Sequence, residues 1–334
     1  MLIDPKKKKL LAAAVIVILL VTLPAAGIVL SLNRPAGDGK NERIVAFAEG
    51  SSFRKFAREL EAAGIIANAG LLVTYARVRG IDAKVKAGSY LLSDGLSPAE
   101  ILRRMVAGEV FAYRFAVPEG YSIYQIAELL ESRGIFEKGP FLKECTNRKL
   151  LKDLGIGGTS VEGYLFPSTY SIPPDMTEEG LIRMMVGKFN KVYGEQITER
   201  ARSLALTERA VITLASIIEK EAVVPSERPL IAAVFFNRLR KGMPLQSDPT
   251  AVYGVRAFAG KVTKQDIRRR SPYNTYLIQG LPPGPIGNPG RGAIEAVIAP
   301  STSNYLYFVA RKDGSHAFST TLEEHNRAVR TYLK

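Results

Sequence analysis

The sequence predicts an α+β protein: an N-terminal membrane helix, two tandem βααβ units, and a mixed α+β C-terminal domain. Three observations carry this. The run Leu10 to Leu32 holds no charged residue and follows Lys6-Lys7-Lys8-Lys9. A self-similar stretch lies between residues 44 and 190. Beyond residue 191 the repeat stops, and amphipathic helical patterns mix with short strand patterns.

The chain has 334 residues, 46% hydrophobic and 23% charged. That is enough to bury a core, and it excludes widespread disorder. The net charge of +14 favours an anionic partner. Nucleic acid is one such class, but no recognition motif or concentrated basic stripe supports it. Cys145 is the lone cysteine, so no internal disulfide forms. With only His316 and His325, a histidine-rich metal site is excluded.

In chain order, residues 1–9 form a basic tail and 10–32 a segment that as a helix spans about 34 Å, enough to cross a bilayer. The lysines before it, against Arg34 alone just after, place the N-terminus in the cytoplasm and the body outside. A cleavable signal peptide competes, since Pro24-Ala25-Ala26-Gly27 is rich in small residues. Residues 33–43 are a polar linker.

The first unit spans 44–110 and the second 111–190. Phe47-Ala48-Glu49-Gly50-Ser51-Ser52 aligns with Val117-Pro118-Glu119-Gly120-Tyr121-Ser122. Each opening reads as strand, turn, then helix capped by Ser52 or Ser122, with Gly64 or Gly134 at its C-terminus. Ser89-Tyr90-Leu91-Leu92 aligns with Thr169-Tyr170-Ser171-Ile172 at a longer offset, and helix 97–106 with helix 177–186. The longer offset marks an insertion in the second unit, around Gly155 to Pro167, where function tends to sit.

Residues 191–334 form the last domain. Thr207 caps a helix from Glu208 to Ala222 whose apolar stripe is Val211, Leu214, Ala215, Ile218 and Ala222. Ser226 is expected to cap a second helix, reaching about Lys241. A helix is expected near 292–299, a strand over 304–310 paired with 316–319, and a closing helix from Thr321.

Glu219 lies at the border of the apolar stripe of its helix, and Glu221 about 200° round from it. A carboxyl there is partly withdrawn from water, which suits a general acid. The two cannot form a facing pair, so a second carboxylate comes from elsewhere or the chemistry needs only one. Glu162, Tyr164, Phe166, Gln246, Asp248, Asn274 and Tyr276 sit in loops and offer hydrogen bonds and aromatic faces to sugar rings. The bland alternatives stand beside this: Asp248 before Pro249 caps a turn, and Asn274 makes an Asx-turn. No metalloprotease, paired-cysteine, EF-hand or nucleophile-elbow motif occurs, so no metal and no cofactor is expected. Gly254 to Lys261 is a poor phosphate loop, with Val262 where a hydroxyl residue should follow.

The motifs Glu-Gly-Tyr-Leu-Phe-Pro-Ser-Thr-Tyr (162–170), Ala-Ser-Ile-Ile-Glu-Lys-Glu (215–221), Phe-Phe-Asn-Arg-Leu (235–239), Leu-Gln-Ser-Asp-Pro-Thr (245–250), Tyr-Asn-Thr-Tyr (273–276) and Gly-Leu-Pro-Pro-Gly-Pro-Ile (280–286) stand in one order. The sequence resembles the endolytic murein transglycosylases, the YceG-like family. The βααβ units also resemble LysM modules, which bind peptidoglycan. The family resemblance implies a membrane-anchored lyase that cuts the glycan between N-acetylmuramic acid and N-acetylglucosamine within the strand. It implies 1,6-anhydro ends, no cofactor, Glu219 as the catalytic acid, and residues 191–334 as the catalytic domain. It implies Glu162, Tyr164, Gln246, Asp248, Asn274 and Tyr276 in the cleft wall, peptidoglycan synthases (penicillin-binding proteins) as partners, and work at the outer face of the bacterial cytoplasmic membrane. A non-catalytic peptidoglycan-binding scaffold is the alternative, and a hydrolase using Asp248 or Glu162 is another.

Overall fold

Helix α1 (Pro5–Asn33) contains Pro24 and is long and apolar enough over Ala14–Asn33 to cross a membrane. The structure, a computed structural model, describes residues 5–255 and 262–333. The phosphate-loop-like stretch therefore lies mostly outside the described residues. The chain divides into two units. One is the chain up to Tyr113 with Pro173–Asp175, and the other is Arg114–Ile172 with Met176–Lys334.

In the first unit, β1 (Glu42–Phe47) is followed by α2 (Phe53–Ala62), α3 (Ala69–Val78), β2 (Gly88–Ser93) and α4 (Pro98–Ala107). The strands pair antiparallel, from Glu42↔Ser93 to Phe47↔Gly88. Ser52 caps α2 by accepting from the Lys55 amide, as its sequence position requires. The core gathers Phe56, Leu60, Leu72, Tyr90, Leu92, Ile101 and Met105.

The second unit opens with the same order of elements. Here β3 (Tyr113–Ala116), α5 (Ile123–Ser132) and α6 (Lys138–Cys145) precede β4 (Thr169–Ile172), which pairs with β3. The likeness extends to single bonds. Ser122 caps α5 in a full capping box. The helices α2 and α5 both end in a Schellman turn, in which Ile65 and Ile135 donate back to the carbonyls of Leu60 and Leu130. The Tyr90 and Tyr170 hydroxyls each donate to the carbonyl four residues back, at Lys86 and Phe166. The longer offset of the second unit holds α7 (Arg148–Asp153) and the buried turn Val161–Leu165.

The rest of the unit is mainly helical: α8 (Glu178–Ser203), α9 (Glu208–Glu221), α10 (Arg228–Arg240), α11 (Asp248–Val252), α12 (Lys264–Arg268) and α13 (Arg291–Ile298). The hairpin β5 (Tyr307–Ala310) and β6 (His316–Ser319) and helix α14 (Leu322–Tyr332) close the chain. The helix expected over 177–186 continues as α8 to Ser203, with non-helical geometry at Gly194. Ser226 does not cap α10. Pro225 fixes φ early and starts a 3₁₀ turn over Pro225–Glu227, leaving Ser226 inside it. Thr207 does cap α9, accepting from Ala210. The expected stripe of α9 is wider than its periodicity suggests. Every residue from Val211 to Ile218 is buried, because α8, α10, α11 and α13 pack around it. Burial is incomplete at both ends of the helix, at Glu208–Ala210 and in the last turn, where Glu219, Lys220 and Glu221 stand.

Candidate active site

Glu219 reaches the end of α9 with its side chain 5% exposed. Its Oε1 accepts from Arg228 Nη2 at 2.7 Å, and its Oε2 from the Gly290 amide at 2.9 Å. Arg228 is the first residue of α10, and Gly290 is the N-cap of α13. Three helix ends thus meet at one carboxyl. Arg228 Nη2 also lies 3.5 Å from Glu119 Oε2. Burial pushes the Glu219 carboxyl above the usual carboxylate range, and the nearby Glu119 charge adds to this. The Gly290 N–H and the Arg228 guanidinium oppose it. A methyl group at Gly290 would stand 2.0 Å from Glu119 Oε1, so a larger residue there would displace the Glu119 carboxylate from its place.

Glu119, Arg228 and Gly290 were not among the residues selected from the sequence. A signal for Glu119 was present, since it belongs to the Glu-Gly turn repeated at Glu49-Gly50; both glutamates are exposed, and Glu119 lies beside Arg228. Nothing local marks Arg228.

The residues that were selected fall into separate groups. Glu162 is 2% exposed, and its carboxylate accepts from the Ile123 amide at 3.1 Å, Asn288 Nδ2 at 3.1 Å and the Tyr253 hydroxyl at 2.9 Å. Burial raises it to about 7 against those bonds. It ties the first turn of α5 to the inserted turn and to the 285–290 segment. Asn288 completes the tie: its Oδ1 accepts from Leu165, and its Nδ2 donates to the Tyr121 carbonyl.

Gln246, Asp248 and Tyr276 gather near Glu221. The Tyr276 hydroxyl donates to Asp248 Oδ1 at 2.6 Å, Arg238 Nη1 donates to Gln246 Oε1, and the Ser247 hydroxyl donates to Glu221. Burial raises Glu221 to about 7, and the Asp248 charge adds to it. Of the group, Gln246 alone is exposed. Tyr164 is 3% exposed and packs edge-on against Phe189, while Phe166 is half-buried. Asn274 is fully buried; its amide donates to the carbonyls of Ile267 and Arg269, and its oxygen accepts from Tyr276 in the Asx-turn. These buried groups hold loops in place, whereas Glu219 with Arg228 and Glu119 forms the charged centre. Among the described residues no group of acidic, cysteine or histidine side chains is arranged to hold a metal.

A family model described as the YceG-like family matches residues 45–331. A protein of Bacillus subtilis strain 168 named endolytic murein transglycosylase is 32% identical over 312 residues, covering 89% of this chain and 86% of its own. A Streptococcus pneumoniae D39 protein of the same name is 30% identical, with 89% of this chain and 59% of its own covered. The crystal structure of a yceG-like protein from Listeria monocytogenes matches with a TM-score of 0.60 and 34% identity, over 87% of this chain and all of the other.

Proposed function

The chain belongs to the YceG-like family, and from that membership we propose that it is an endolytic murein transglycosylase with Glu219 as its acid. The activity is that of a lyase. It cuts the bond between N-acetylmuramic acid and N-acetylglucosamine inside a strand and leaves 1,6-anhydro ends. The observation that supports this reading is the withdrawn carboxyl of Glu219 at the meeting of α9, α10 and α13, bonded to Arg228 and the Gly290 amide. Protonated Glu219 gives its proton to the departing glycosidic oxygen as the C1–O bond breaks. The muramic 6-hydroxyl closes on C1, and its proton returns to Glu219. No water is consumed, so one titrating carboxyl suffices, unlike the pair that glycoside hydrolysis canonically uses.

Arg228 and Glu119 are positioning residues in this scheme. Arg228 holds the ionised form, and Glu119 gives the guanidinium a second partner when Glu219 takes up its proton. Gln246, Asp248 and Tyr276 belong to the cleft wall on the Glu221 side, with Tyr164 and Asn274 behind it. Residues 191–334 carry the acid, and the 111–190 unit lends Glu119 and Glu162. The two βααβ units, whose shared caps and tyrosine bonds mark them as repeats of one another, are in this reading LysM-like and help hold the glycan. The α1 helix anchors the protein in the cytoplasmic membrane with its body outside, beside peptidoglycan synthases, where it limits strand length.

The test is mass spectrometry of purified glycan strands incubated with the full chain in detergent, wild type beside Glu219→Gln. Internal fragments with anhydro ends from the wild type, and none from the variant, are expected. Reducing ends would mean hydrolysis and overturn the mechanism.

A further inference from the structure

Lys220 follows the acid on α9, about 100° round the helix, and turns to a different surface. It is half-buried. Its ammonium has one hydrogen bond among the described residues, to Gln125 Oε1 at 3.5 Å. No carboxylate among the described residues stands within ion-pair distance of it, whereas Lys138 nearby is neutralised by Glu128 at 2.8 Å. Burial pulls the Lys220 ammonium down, with Glu162 and Glu219 pulling the other way. A cation partly stripped of water and left without a close partner is primed to bind an anion.

That cation lines a cavity of about 170 Å³ with Tyr124, Gln125, Tyr253 and Ile286, and the mutually paired Glu128 and Lys138 line it too, which leaves Lys220 as its unpaired charge among the described residues. An enclosed space of about 150 Å³ holds a molecule the size of benzene. This one suits an amino-acid-sized group rather than a disaccharide. The tyrosine rings offer it an apolar wall, with Tyr124 and Tyr253 tilted together at 6.1 Å.

We propose that this cavity seats a carboxylate of the peptide carried by the muramic sugar, with Lys220 as its cation. The proposal rests on the transglycosylase reading for the identity of the substrate. The muramic sugar at Glu219 carries its peptide through a lactyl ether, and the Glu219 and Lys220 side chains both pass beside Gly120, where an added methyl group would stand 3.4 Å from Glu219 Cγ and 3.7 Å from Lys220 Cδ. A group bound beside Lys220 places the correct sugar under the acid and distinguishes the two alternating sugars of the strand.

Two measurements test it. In the first, the full chain in detergent cuts strands whose peptides carry free carboxylates and the same strands with those carboxyls converted to amides. The wild type should favour the carboxylate-bearing strands about tenfold in kcat/KM, in the range of one charged hydrogen bond. Lys220→Met should bring the ratio close to one, and Lys220→Arg should keep most of it. A wild type without preference, or a Lys220→Met that loses both substrates equally, overturns the proposal; the latter would make Lys220 a countercharge for buried Glu162. In the second, the Glu219→Gln chain is titrated calorimetrically with a soluble disaccharide-peptide and with its carboxyl-amidated form. Affinity about tenfold weaker for the amidated form, with the difference abolished by Lys220→Met, supports the subsite. Equal affinities overturn it. Carboxylate-dependent binding without strand cleavage by the wild type would uphold the subsite and overturn the transglycosylase reading.

Discussion

Glu219 is held between opposing influences, and each can be removed singly. As a general acid it must be protonated, so activity falls as pH rises through its raised value. Replacing Glu119 with Gln removes a like charge, lowers the Glu219 value and moves the alkaline limb of the rate profile to lower pH. Replacing Arg228 with Met removes the opposing cation and moves that limb to higher pH, with kcat at least tenfold lower because the carboxyl loses its fixed position. A pH–rate profile of the three proteins checks both signs. Unmoved limbs would mean that another group titrates.

Glu162 makes a separate prediction, about stability. Its carboxyl is raised from 4.5 to about 7 in the folded protein. Stability linked to it is complete below pH 4.5 and is lost as pH rises through 7. For a shift of this size the loss is about 3 kcal/mol. Glu162→Gln should flatten the fall in unfolding free energy between pH 5 and pH 8 by roughly that amount, read by denaturant titration. An unchanged slope would place the titration elsewhere, Glu221 being the next candidate.

At the scale of elements, local chemistry was the most legible part. The caps at Ser52, Ser122 and Thr207 and the Schellman glycines rest on bonds between neighbours, so residue type and spacing determine them. The end of α9 was legible too, since the turn carrying Glu219 emerges where its apolar pattern stops. Two things were not. The burial of α9 on nearly every side depends on helices that arrive from distant parts of the chain. The partners of Glu219 come from positions 119, 228 and 290, and no short-range pattern joins them. Tyr164 and Asn274 have the chemistry of sugar-binding residues, but their burial follows from long-range packing. Gly163 shows the demands of that packing. It has φ +90°, and a methyl group there would stand 2.5 Å from Pro285 and 2.7 Å from Ile212. Gly163→Ala should cost about 2–4 kcal/mol, measured as a lowered denaturation midpoint. A neutral result would mean that the inserted turn is free to move away.

For the whole molecule, the sequence alone marked the apolar N-terminal helix, because a long uncharged run needs no tertiary context. Full-length protein should sediment with membranes and resist high salt, while a chain lacking residues 1–39 should be released. Release of the full chain by salt alone would mean that the net charge of +14, rather than α1, holds it at the surface.

Asn288 pins three segments together with both ends of its amide, and the residue after it is Pro289. Asparagines age chemically when the next backbone nitrogen attacks the side-chain amide and releases ammonia. Proline carries no N–H to do this, so that route of decay is closed at Asn288. The amide joining Glu162 to the 285–290 segment should therefore outlast the exposed asparagines of the chain, such as Asn190 and Asn304.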